Sequence, residues 1–459
     1  MFRGCEQTVV LISDEVEEVD PFENPQAVQE PPEPPERLDI TISNVDFIGN
    51  SGIVDESTAG AFAANRMVHA QLTGCRFERN TGISGGAISF AGDALTVENC
   101  TFVENDASNT GGAIFAIQDP EEIVEDASTF VTIVNCDFIR NRALTGSEDR
   151  SELTLTRSIF LETNRYLNFP LPAPSGGAVY VAGFNEVSIE DTRFIGNNAV
   201  PAGGAVYLSD NRENLIAGCR FENNFVSAPQ RAVNGRDLQL GGALFAAFVE
   251  RESSLIIRAC LFLNNNASYG GALHFVGPID SNFRAERCEF RNNLATLGGG
   301  AAVFRNADAP FITRTDFINN TAFVGGAVML TNGAGLDMPQ AESLNPPSSF
   351  LDNVAYDGGA IFGIGGGTLK LFHVLFERNL AERNGGAVCY IDSKASGSLN
   401  MQDARMSRNR AETGGALYLE NLSEFSLVPG NRDTNREFLR ERRFDPFNLF
   451  ERCLFFAPL

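Results

Sequence analysis

The 459-residue chain has no tryptophan, only three histidines and six methionines. It also lacks any uninterrupted apolar run of about 20 residues, which excludes a membrane-spanning helix. The histidines, His69, His274 and His373, stand far apart and fit no zinc or catalytic spacing. No metal, cofactor or catalytic residue is therefore assigned. Positive charge is scarce: 35 Lys and Arg face 59 Asp and Glu, for a net charge of -24. Such a chain does not offer the clustered cations that nucleic acid or an anionic bilayer requires. The opening Met1–Glu30 has one short apolar run, Thr8–Ile12, followed by Asp14, Glu15, Glu17 and Glu18. That is too short and too acidic behind to read as a signal peptide.

What the chain has in excess is glycine, 44 residues, many of them in a repeated Gly-Gly-Ala triplet. The triplet begins at Gly85, Gly111, Gly176, Gly203, Gly241, Gly270, Gly299, Gly325, Gly358, Gly385 and Gly414. A Phe-x-x-Asn precedes most copies by a few residues, as in Phe77 to Asn80 before Gly85. A period of roughly 25–30 residues held this long means stacked coils, each packing on its neighbours.

One uninterrupted unit, Gly85 to Thr110, gives the grammar. Gly85-Gly86 turns the chain, and strands are expected at Ala87–Phe90, Leu95–Val97 and Cys100–Phe102, with Val103–Thr110 closing the coil. The residue after each triplet alanine is aliphatic (Ile88, Ile114, Val179, Val206 and their successors), so it points inward. The Phe of Phe-x-x-Asn is inward too and is expected to stack from coil to coil. The Asn closes the corner, where its tolerance of left-handed turns and its amide suit a ladder of side-chain hydrogen bonds. Seven of the nine cysteines sit two residues before a Phe or its equivalent, in a slot that elsewhere holds Val45, Thr192, Thr315 or Ala404. That is a small buried position, not a disulfide code. Cysteines stacked one rung apart are poorly placed for a disulfide dihedral.

This grammar resembles the right-handed parallel β-helix proteins, and specifically the polymorphic outer membrane protein repeats of chlamydiae, which pair Gly-Gly-Ala-aliphatic with Phe-x-x-Asn. The resemblance covers about residues 38–425. It implies an all-β solenoid of about 12–13 coils and a surface-exposed, adhesin-like role in the extracellular space; no autotransporter barrel is visible in the sequence. The expected organisation is a disordered Pro/Glu-rich lead-in at 1–36, the β-helix at 37–429, and a cap or truncated further repeat at 430–459.

Function is expected where the repeat varies. Two residues past the triplet alanine lies a stripe of opposite parity to the core, with Phe115, Tyr180, Tyr207 and Phe245 as its aromatic centre. These four are the candidate binding face for a glycan or a cell-surface protein. Segments 117–130, 165–174, 225–240 and 331–347 break the rhythm as insertions, the places where function tends to project from a rigid scaffold. The densest mixed-charge patch is Arg287 and Glu289 with Arg314 and Asp316 one coil later. The leading reading is a non-enzymatic interaction protein. The alternatives are a pectate-lyase-like polysaccharide lyase or glycoside hydrolase, which would need paired acids across a groove, and a structural spacer.

Overall fold

The computed structural model describes residues 10–12, 37–52, 59–65, 68–118, 129–144, 175–227, 239–248, 253–277, 282–339, 347–392 and 396–428. Every regular element among them is a β-strand. The strands fall into long parallel sheets running along the stack: thirteen strands after the triplet corners, thirteen in the next, and twelve carrying the Phe of Phe-x-x-Asn. Each strand pairs with its counterpart one coil away, and the repeat sets the register. Phe102 lies opposite Phe77 on one side and Phe138 on the other. Ile114 lies between Ile88 and Val179.

A fourth face is also sheet, seven strands from Thr81–Ser84 to Leu294–Gly298, with a separate pair, Val354–Asp357 and Leu380–Asn384. From the sequence alone this stretch is expected only to close the coil. Residues such as Asp106–Thr110 are polar and show no apolar alternation. They become strands because the coils above and below present matching backbone groups, which pair whatever the side chains are.

Three ladders hold the interior. Eleven phenylalanines from Phe47 to Phe376 stack with centroids 4.6–5.0 Å apart and planes within 10°. Twelve asparagines from Asn50 to Asn409 form an unbroken amide chain in which each Nδ2 donates to the next Oδ1 at 2.8–3.1 Å. The same Nδ2 donates to the Phe carbonyl of the preceding coil, as Asn224 does to Phe194 at 2.9 Å. The Oδ1 also accepts the backbone N–H of the preceding Asn. These buried amides are therefore satisfied by one another. Their backbone is not the left-handed turn expected of them. The left-handed residue is the one before, such as Arg79, Glu104 or Arg140, at φ of 53°. The ladder position selects Asn for its side chain alone.

The third ladder is the small slot. Cys75, Cys100, Cys136, Cys219, Cys260 and Cys288 are free and buried, as is Cys389. The Sγ of Cys100 accepts the Cys75 N–H at 3.3 Å, and Thr192 and Thr315 do the same work with a hydroxyl. The neighbouring Cys136 thiol and burial push Cys100 up to about 12, so it is no nucleophile near neutrality.

The triplet corner needs both glycines. Gly203 sits at φ of 64°, the left-handed region. A Cβ on Gly204 would run into the carbonyl oxygen of Gly242 in the next coil. The lead-in contributes one short strand, Val10–Ile12, paired in parallel with Phe62–Ala64. The rest of it, most of the expected insertions, and the expected cap at 430–459 lie outside the described residues.

Candidate functional site

The structure brings Phe115, Tyr180, Tyr207 and Phe245 together in one column. Successive ring centroids are 5.2, 5.2 and 4.7 Å apart, and His274 continues the column 5.5 Å beyond Phe245. Parity was read correctly, since these rings lie outside the main core, but their exposure was not. Tyr180, Tyr207 and Phe245 are at most 1% exposed, and Phe115 is half-buried. They form a second, smaller core with Ala182, Ala202, Leu240, Ala247 and Val276, flanked by Ile117 and Tyr269. Ala202, Leu240 and Tyr269 come from the fourth face, where they are bridged in register. That face folds back over the triplet sheet and covers the rings. The column is a structural element in this conformation, and replacing Tyr180 and Tyr207 with Ser would open a cavity rather than clear a surface.

The exposed aromatic surface is elsewhere. Of the twelve large hydrophobics exposed among the described residues, seven lie on the fourth face: Leu144, Phe225, Leu294, Leu297, Phe323, Val354 and Leu380. Phe323, the most exposed at 54%, stacks on Tyr356 of the next coil at 5.1 Å and 5°. One coil further, Arg383 lies 5.0 Å over the Tyr356 ring. The guanidinium is anchored by Asp357, which is only 3% exposed; Nε donates to Oδ1 at 3.0 Å. Hydrogen bonding to Asp357 raises Arg383 above its ordinary range, so it stays charged. The fourth sheet is interrupted here. Thr321 and Val324 make only isolated bridges to their neighbours, and Phe323 stands out between them. Sequence reasoning missed this patch, although Phe323 and Tyr356 share one offset, three residues past a ladder Asn.

The mixed-charge patch lies in a shallow hollow of about 520 Å³ lined by Ala259, Cys260, Leu261, Arg287, Cys288, Glu289, Arg314 and Asp316. Each carboxylate has a partner: Glu289 pairs with Arg291 at 2.6 Å, and Asp316 accepts from Ser349 Oγ at 2.5 Å. No group of three or more His, Cys, Asp or Glu able to hold a metal occurs among the described residues. No helix there is long and apolar enough to cross a membrane.

Residues 123–335 match the family model described as a right handed beta helix region. Among curated proteins, the chain is 28% identical over 133 residues to a probable autotransporter, YfaL, of Escherichia coli. That match covers 28% of this chain and 10% of the relative. It is also 30% identical over 149 residues to metabotropic glutamate receptor-like protein R of Dictyostelium discoideum, covering 32% of this chain and 8% of that protein. The chain thus spans about a tenth of the length of these relatives. No solved structure matches it. Family model, register and ladders agree on the architecture: the chain is an all-β right-handed parallel β-helix.

Proposed function

We propose that this β-helix is a non-enzymatic, adhesin-like interaction protein of the cell surface or extracellular space, with the fourth face around Phe323 as its partner-binding surface. The observation that carries the reading is the concentration of exposed apolar side chains on that one face. The similarity to a probable autotransporter and to a receptor-like protein supports a surface location. So does the resemblance of the repeats to those of the chlamydial outer membrane proteins.

The partner is a protein rather than a glycan. Sugars stack on open ring faces, and the faces of Tyr356 are taken by Phe323 and Arg383. Around the rings the exposed surface is aliphatic, Leu294, Leu297, Val354 and Leu380, which suits the apolar centre of a protein interface. The polysaccharide-enzyme alternative would use Glu289 and Asp316. Both are held by neighbours in the manner of a solvated charge face.

The test is binding of the protein to intact cells before and after treatment of those cells with protease or glycosidase. Binding is expected to be abolished by protease, unaffected by glycosidase, and reduced at least tenfold by Phe323→Ser with Leu380→Ser. Loss with glycosidase alone, or full binding by the double variant, overturns the proposal. Turnover of a polysaccharide, abolished by Glu289→Gln, would establish the enzyme instead.

A further inference from the structure

The small slot does not need sulfur. Thr192, Thr315 and Ser348 occupy it in their own coils and accept the same backbone N–H through a hydroxyl. Val45 and Ala404 fill it with no polar side-chain atom at all. Yet cysteine holds the slot in two unbroken runs of three coils: Cys75, Cys100 and Cys136, then Cys219, Cys260 and Cys288.

The thiols of a run are alike in orientation as well as in position. Cys260 Sγ donates to Arg258 O at 3.3 Å and lies 3.5 Å from Ile216 O of the coil before. Cys288 Sγ repeats both contacts one coil on, with Glu286 O at 3.4 Å and Ile257 O at 3.5 Å. Their sulfurs are therefore displaced by one rung, about 4.8 Å, along the stack. Side chains at one register position stand side by side across that axis, so an ion midway between two sulfurs meets each Cβ–Sγ bond from the side. One rung is about twice the ~2.3 Å of a metal–thiolate bond. An ion on that line has a sulfur on either side and needs no third ligand. Of the six slot thiols, Cys260 and Cys288 also line the open hollow beside Leu261, which gives an ion a way in.

We propose that Cys260 and Cys288 form a linear two-thiolate site for a soft monovalent cation, with Cu(I) as its natural occupant. Thiolates select Cu(I) over hard cations, and Zn(II) takes four ligands where this site has two. The Cys219 thiol pushes Cys260 up, and burial, with the Cys260 thiol, pushes Cys288 up, so each sulfur carries its proton near neutrality. An entering cation displaces both protons: two S–H bonds break, two sulfur–metal bonds form, and no electron is transferred. The product carries one negative charge, opposite in sign to the Arg287 and Arg314 guanidiniums that line the hollow, whatever else those touch. The site is separate from the fourth-face patch and stands or falls without it.

The experiment titrates the whole chain, carrying Cys5→Ser and Cys453→Ser to remove the two cysteines outside the described residues. The probes are Cu(I), held by a competing chelator under exclusion of oxygen, and Ag(I), its redox-inert counterpart. Expected are one tightly held ion per chain, two protons released per ion, and an X-ray absorption signature of two sulfur neighbours. Zn(II) is expected to bind at least a hundredfold more weakly. Cys288→Thr installs the residue that Thr192 and Thr315 already place in the slot, so it is expected to lose the ion and keep the thermal midpoint. Cys260→Thr is expected to do the same. Cys100→Thr, in the run away from the hollow, is expected to keep the ion. The proposal is overturned by the absence of tight stoichiometric binding, by binding that survives Cys288→Thr, or by loss of the ion on Cys100→Thr.

Discussion

Besides the phenylalanine ladder of the core, two shorter stacks of aromatic rings run along this solenoid, one buried on the triplet sheet and one exposed on the fourth face. Phe115, Tyr180, Tyr207 and Phe245 point away from the main core yet are roofed by Ala202, Leu240 and Tyr269 from the fourth face. Phe323 and Tyr356 stack just as closely but stand where the fourth sheet is broken. The same residue type at the same rung spacing is therefore a core in one place and a surface in the other. What packs over the rings, here Ala202, Leu240 and Tyr269, decides which. Stacking alone does not distinguish structure from recognition.

The comparison is broken most directly by removing rings from each stack. Tyr207→Ser is expected to cost about 3–5 kcal/mol, the range for emptying a buried aromatic site, read from the denaturant midpoint. If it costs less than about 1 kcal/mol, the roof over the buried stack is not closed in solution.

Acid gives an effect of similar size on the same stack. Burial, and then the nearby Arg305, lower His274 from its ordinary 6.5 to about 3. The unfolded chain takes up the proton first. Stability is thus fully present above pH 6.5 and is lost as pH falls toward 3, by up to about 4–5 kcal/mol at 1.36 kcal/mol per unit. The check is a pH series of unfolding midpoints. His274→Phe should flatten the slope in that window, and an unchanged slope would show that His274 is not buried neutral.

A middle-sized effect tests the ladder that both stacks depend on. Asn224→Ala removes the acceptor of the Asn197 N–H groups and the donor to Phe194 O and Asn265 Oδ1. Groups left unpaired in a buried corner cost about 2–4 kcal/mol together. The smallest expected effect sharpens the contrast. Phe323→Ser, at a surface position, should stay within about 0.5 kcal/mol of the parent. A penalty as large as that of Tyr207→Ser would mean that the second stack is also covered.

Most of the architecture was legible because it repeats. Ile88, Phe102 and Asn105 each recur at fixed offsets, and the residue types allowed at each offset reveal which way it points. The fourth sheet was hard to read, since Asp106–Thr110 offers only one inward signal, the small Ala107 that recurs as Ala143, Ala199, Ala267 and Ala295, and pairs as a strand by lying between two like segments. The burial of Tyr180 and Tyr207 was not legible. Parity states on which side of its own strand a residue lies, and says nothing of what another strand lays over it. The left-handed residues at the ladder corner were misassigned by one position: the trace was there, in Gly49, Gly196, Asn223, Asn264, Asn292, Asn319 and Asp352, but the neighbouring ladder Asn, itself a turn former, masked it. The patch at Phe323 and Tyr356 could have been found by asking which outward offsets become aromatic in only two coils.

The amide chain has one more implication. Asn141 and Asn197 are 56 residues apart in sequence and are joined by the same kind of bond, at 3.1 Å, as Asn80 and Asn105, which are 25 apart at 2.9 Å. Each rung accepts any other rung and is indifferent to how much chain was spent between them. A whole coil, excised or duplicated from ladder Asn to ladder Asn, would leave every remaining bond with a partner of the same kind. The molecule is in this sense a ruler graduated in steps of about 4.8 Å, whose length can be edited one mark at a time while the spacing of the marks stays fixed.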